Sequence, residues 1–116
     1  MPWRLTVRSG PKVDRERFDE LGPALDALER RGRELAESAP RGAIDTKIRQ
    51  FDPVQQVVAR LELAGPQTLM PRARAGVDIR GDGSTEAFVG WVRRAVIEQR
   101  GGEDAFAALR RVLEGQ

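Results

Sequence analysis

The chain has 116 residues, 40% apolar and 33% charged, with a formal net charge of +2 and no histidine, cysteine or tyrosine. That length predicts one domain over residues 1–116 with a single core, and the missing side chains exclude disulfides, thiolate metal sites and the usual imidazole base or thiol nucleophile of an enzyme. No apolar run approaches the roughly 20 residues of a membrane helix, and the opening Met1-Pro-Trp-Arg-Leu5 lacks the features of a secretory leader, so the expectation is a cytoplasmic, non-enzymatic protein with no membrane, cofactor or metal.

In chain order, Trp3, Leu5 and Val7 alternate with Arg4, Thr6 and Arg8, the pattern of a half-buried strand. Ser9-Gly10-Pro11 breaks it, and Lys12–Phe18 reads as a ragged continuation with Val13 its clear apolar member before Phe18. A helix follows, started by Asp19, or by Gly22 with Pro23 at its first position. Leu21, Leu25, Leu28, Gly32 and Leu35 make its apolar face, where Gly32 predicts a close approach to the sheet. Its other face is laced by Asp26–Arg30, Glu29–Arg33 and Arg30–Glu34 spacings. Alternation then predicts strands over 44–49, over 57–63 and over 74–80, the first two joined around Asp52-Pro53. Asp82-Gly83-Ser84 reads as a strand-to-helix turn, with Ser84 capping a second helix that runs to about Arg100 on a stripe of Phe88, Trp91, Val92, Ala95 and Val96. Gly101-Gly102 ends it, and Phe106, Leu109, Val112 and Leu113 predict a short third helix.

The order is β-α-β-β-β-α-α, an α+β two-layer sandwich with about four mostly antiparallel strands and helices packed on one face. Each strand is apolar on one side only, so the other side of the sheet should face water. That outer side carries Arg4, Arg8, Lys47, Arg49, Arg60, Arg74 and Arg80 against Asp45, Glu62 and Asp78, and is expected to be basic. Residues 1–18 hold an excess of positive charge and residues 19–40 an excess of negative charge. Arginine greatly outnumbers lysine, a balance that suits phosphate- or carboxylate-binding forks but is explained as well by codon bias in a GC-rich genome, helped by selection for ion-pair networks. Its spread over helices and strands alike favours the latter.

Asp78-Ile-Arg-Gly-Asp-Gly-Ser-Thr-Glu86 is the densest run of suggestive residues. A calcium loop is excluded, because Arg80 replaces an oxygen ligand and Val89 stands where the closing glutamate belongs. Asp78, Asp82 and Glu86 have the chemistry for Mg²⁺ but no catalytic companion. Backbone N–H groups at Gly81, Gly83, Ser84 and Thr85, beside a helix start, would suit an anion or nucleotide. The alternative is an ordinary turn and cap. Arg80-Gly81-Asp82 is also the integrin-recognition tripeptide, a coincidence of composition here. Arg100-Gly-Gly-Glu-Asp-Ala-Phe106 resembles the signature of diguanylate cyclases only in its letters, since that signature sits on a hairpin of a larger domain.

The expected function is therefore a binding or interaction domain, acting as a homodimer through the wide apolar stripe of the second helix or within a larger protein assembly. The alternative partner is a nucleic acid held by the arginine face, which could equally dock an acidic protein surface or be a solvated face of cross-strand pairs such as Arg60 or Arg49 with Asp78. A further reading is an anion sensor at Gly81–Thr85. With Trp3 the one aromatic in the strand patterns, nucleic-acid contact would be to the backbone rather than to stacked bases.

Overall fold

The computed structural model describes residues 3–39, 56–65, 74–90 and 95–115. The elements run β1 (Trp3–Ser9), β2 (Lys12–Phe18), α1 (Leu21–Glu37), β3 (Val57–Ala64), β4 (Arg74–Arg80), β5 (Thr85–Val89), β6 (Ala95–Val96) and α2 (Ala105–Glu114). The fold is α+β, and every strand pairing is antiparallel, in the order β2-β1-β3-β4-β5-β6. Among the described residues the sheet thus has six strands where about four were expected. Among the described residues no helix is long and apolar enough to cross a membrane.

Three of the six strands correct the sequence reading. Lys12–Phe18 is a regular strand in full register with β1, from Trp3 opposite Phe18 to Ser9 opposite Lys12. Gly10 and Pro11 make the two-residue turn, with Gly10 at φ 59° and the Pro11 ring fixing its own φ on the negative side, the signs of a type II′ hairpin. The expected second helix from Ser84 to Arg100 is absent among the described residues; β5 and β6 occupy that stretch. Phe88, the first member of the expected stripe, and its apolar neighbour Val89 point to opposite sides of the sheet, while Trp91 and Val92 lie outside the described residues. Gly90, at φ 137°, closes β5 in a conformation that other residues rarely adopt. The strand expected over 44–49, with Lys47 and Arg49, and the hairpin at Asp52-Pro53 lie outside the described residues.

Alternation fixes two faces. Leu5 and Val7, Ala59, Leu61 and Leu63, Ala75, Val77 and Ile79, and Ala87 point to one side. They form one buried cluster with Ala24, Leu25, Ala27 and Leu28 of α1 and Ala105, Phe106, Ala108, Leu109 and Leu113 of α2. Helix α1 contacts β1 to β4, α2 contacts β4 and β5, and the helices touch each other. In α1 the cap is Glu20, with no side-chain bond, rather than Asp19 or Gly22. The short helix near the C-terminus is as expected, started by Asp104, whose carboxylate accepts the Ala107 N–H at 2.8 Å.

Gly32 does mark a close approach, but to α2 rather than to the sheet. A Cβ there would run into Cε1 and Cζ of Phe106. The Arg33 guanidinium lies 4.9 Å from the same ring centroid and bonds both Asp104 (2.7 Å) and Glu29 (2.7 Å). Arg110 reaches back from α2 to Asp26 (3.0 Å) and Glu29 (3.3 Å). Arg111 holds Glu103 at 2.8 Å. Burial alone would raise the Asp104 carboxyl, but the Ala107 N–H and Arg33 more than offset that and hold it below the usual carboxylate range. Glu103 is likewise held low, first by Arg111 and then by the Arg100 N–H.

On the other side of the sheet Gly76 faces a second obstruction. An added Cβ would meet the Leu61 carbonyl oxygen, the Phe88 ring and the Glu62 Cα. Gly76→Ala is expected to cost about 3 kcal/mol or more, because backbone blocks it. In Gly32→Ala a gain of about 1 kcal/mol in helix propensity offsets part of the clash with one ring. Denaturant unfolding of both variants checks the order, and a milder Gly76 variant would contradict it.

Asp104 supplies a pH test. Its carboxyl is more acidic folded than unfolded, so its contribution is present at neutral pH. It disappears as pH falls from about 4 through the lowered folded value. Asp104→Asn keeps a competent cap without a titrating group. Its melting temperature should drop less than that of the wild type between about pH 6 and about pH 3; equal drops would contradict the assignment.

Candidate functional site

The second face of the sheet carries charge in three rows, read from the strand register. One row runs Arg17, Arg4, Ala64, Arg74 across β2, β1, β3 and β4. The next runs Arg15, Thr6, Glu62, Gly76, Phe88, Val96. The third runs Val13, Arg8, Arg60, Asp78, Glu86.

The arginines of this face fall into two groups. Arg60 donates to Asp78 at 2.7 Å and again at 3.4 Å, a cross-strand pair of the kind a solvated face would carry, and its guanidinium lies 5.8 Å from the Phe88 ring centroid. Asp78 is 5% exposed, so this pair is the polar centre of the face. Arg80 donates to Glu86 at 2.6 Å. Arg60 is thus matched by the acid directly opposite it, and Arg80 by one diagonally across the β4–β5 pair. By contrast, Arg4, Arg8 and Arg74 are exposed and have no ion pair among the described residues.

Arg15 and Arg17 join this second group and were missed by the sequence reading. Both are exposed, both point to the outer side, and Arg17 stands directly opposite Arg4. Strand β2 has no buried stripe, so no apolar period announces it. The signal that would have found it is the Gly10-Pro11 turn, because a Gly-X pair with two-residue spacing implies that Lys12 onward returns along β1. Four arginines, Arg4, Arg8, Arg15 and Arg17, therefore share one corner with Thr6 and Val13, and Arg74 extends it along the first row.

Like charges directly across a strand pair destabilise a sheet. The Arg4–Arg17 pair is thus a local cost that the fold carries. Elsewhere several arginines are matched, Arg31 with Asp14, Arg33 with Asp104, Arg110 with Asp26 and Arg111 with Glu103, while Arg30 and Arg100 are exposed with no ion pair among the described residues. Next to the corner, Arg8, Gly10, Val57, Val58, Ala59 and Arg60 line a shallow cleft of about 570 Å³. A bulge between Val57 and Ala59 turns Val57 outward opposite Arg80, leaving it 41% exposed.

Gly81, Gly83, Ser84 and Thr85 do lie together, but in the β4–β5 hairpin and not at a helix start. The Gly81 N–H donates to the Gln56 carbonyl (2.8 Å) and the Gly83 N–H to the Arg80 carbonyl (2.9 Å). The Ser84 N–H and hydroxyl both donate to Asp82 (2.9 and 2.6 Å). The turn fills its own anion position with the Asp82 carboxylate, which the Ser84 hydroxyl and then its N–H hold below the usual range. Arg100–Phe106 likewise is a turn leading into α2, with Gly102 at φ 83°. Among the described residues no group of three or more acids is placed to hold a metal ion.

Arg17→Glu converts a repulsive cross-strand pair into an attractive one and is expected to stabilise the fold by roughly 0.5 kcal/mol. Thermal unfolding at low salt reads this directly, and a lowered melting temperature would show that Arg17 has a structural role. Comparison with known proteins gives no match to any protein-family model, curated protein or solved structure.

Proposed function

We propose that this is a non-catalytic α+β domain of two layers, helices on one side of the sheet, that binds an acidic macromolecule with the arginine corner of the other side. The observation that carries the reading is the Arg4–Arg17 juxtaposition, with Arg8, Arg15 and Arg74 near it and no acid paired to any of them among the described residues. Arginine forks suit carboxylate or phosphate, and a fold that pairs many of its arginines elsewhere but gathers unpaired ones in direct repulsion here leaves them available to a partner. The non-catalytic part rests on composition, which provides neither His nor Cys. The homodimer expectation loses its support, because the stripe it rested on belongs partly to β5 and β6 rather than to one helix. Beyond this, a cytoplasmic location is the setting that a cysteine-free chain fits.

Retention on immobilised heparin tests the reading. Arg15→Glu/Arg17→Glu should elute at clearly lower salt than the wild type while remaining folded. Arg30→Glu/Arg100→Glu makes the same change in net charge at two exposed arginines away from the corner, and should elute close to the wild type. Equal losses in the two doubles would reduce the effect to net charge and sink the proposal.

A further inference from the structure

We infer that the partner is the sugar–phosphate backbone of a nucleic acid, gripped along the strip formed by Arg17, Arg15, Arg4 and Arg8 with no contact to the bases. This rests on the reading above that the corner binds an acidic macromolecule. Two features select nucleic acid over an acidic protein surface.

The first is the absence of an anchor. Protein–protein hot spots centre on aromatic or large apolar side chains that sink into a partner's pocket, with arginine around them. Among the described residues of the outer face the aromatic is Phe88, which is 4% exposed beneath Arg60. Among the described residues, the exposed large apolar side chains near the strip are Val13 (39%) and Val57 (41%). A protein partner would meet charge with little to bury, whereas phosphate binding needs charge alone.

The second is shape. Side chains two residues apart on one strand stand about 6.8 Å apart, and neighbouring strands lie about 4.8 Å apart. Arg17 and Arg15 on β2, with Arg4 and Arg8 on β1, therefore make a narrow strip of forked donors, and the Thr6 hydroxyl lies between the two β1 arginines. A phosphate chain is a line of anions that such a strip can follow, and Thr and Arg are both ordinary donors to phosphate oxygens. Sheets that read single strands do so by stacking bases on outward aromatics. With Phe88 covered, the phosphates are the handle, so binding is indifferent to sequence and steep in salt.

Fluorescence anisotropy of the full chain tests this with oligo-dT and oligo-dA of about fifteen nucleotides, a length that single-strand binders commonly span, and with an equally long poly-glutamate peptide. Both oligonucleotides should bind with similar affinity. The slope of log K against log salt should be about −2.8, four contacts at about −0.7 each. Arg15→Gln/Arg17→Gln should flatten it to about −1.4, since two contacts are lost. Poly-glutamate bound as tightly as DNA would overturn the nucleic-acid assignment yet keep the acidic-partner reading. A tenfold preference between the two bases would overturn backbone-only contact. Failure of all three polymers to bind would overturn both readings.

Discussion

The Phe106 ring pressed into the gap left by Gly32 is the contact on which the rest of this fold closes. Helices α1 and α2 approach the sheet from widely separated parts of the sequence, and each covers only some of the strands. Neither buries its apolar side alone, so they must meet, and glycine at position 32 is what lets them meet closely. Arg33 then secures the junction from outside, lying over the ring while holding Asp104 at the start of α2 and Glu29 one turn back on α1. Capping, aromatic packing and ion pairing coincide at one place, and the buried cluster extends from it to β1.

Arginine is used in two ways here, and the contrast is more informative than its abundance. Around the helices each guanidinium named in an ion pair reaches a carboxylate on another element or one turn away, tying α1 to α2 and α1 to β2. Surface pairs of this kind contribute little singly and more as a network. In the middle of the outer face Arg60 and Arg80 are matched in the same manner. On that face the matching stops toward the β1–β2 corner and at Arg74, and off it Arg30 and Arg100 are also without an ion pair among the described residues. Composition alone could not separate the two uses; the separation depends on register.

What the sequence made legible follows from burial. Strands β3 and β4 have one wet and one dry side, so Leu61, Leu63, Val77 and Ile79 announced them, and with them the Arg60–Asp78 pair. Strand β2 was obscure because Val13 to Arg17 are exposed whichever side they face, which leaves no period to detect. Strand β5 was obscure for the opposite reason: Phe88 is buried on the outer side by Gly76 and Arg60, so both faces look apolar. The candidate site inherited both faults. It lost Arg15 and Arg17 with β2, and it gained an anion turn at Gly81–Thr85 whose helix does not exist.

The outermost strands bear on how copies of the molecule behave near one another. Strand β6 is two residues long, and β2 directs Lys12, Asp14 and Glu16 toward the core side of the sheet, with Asp14 held by Arg31. Short rims and inward charges are how sheets resist pairing with foreign strands. Where copies come close together, a bare rim would seed edge-to-edge stacking. Because β2 presents its arginines outward and its mixed charges inward, its seven residues keep neighbouring copies from zipping together along it.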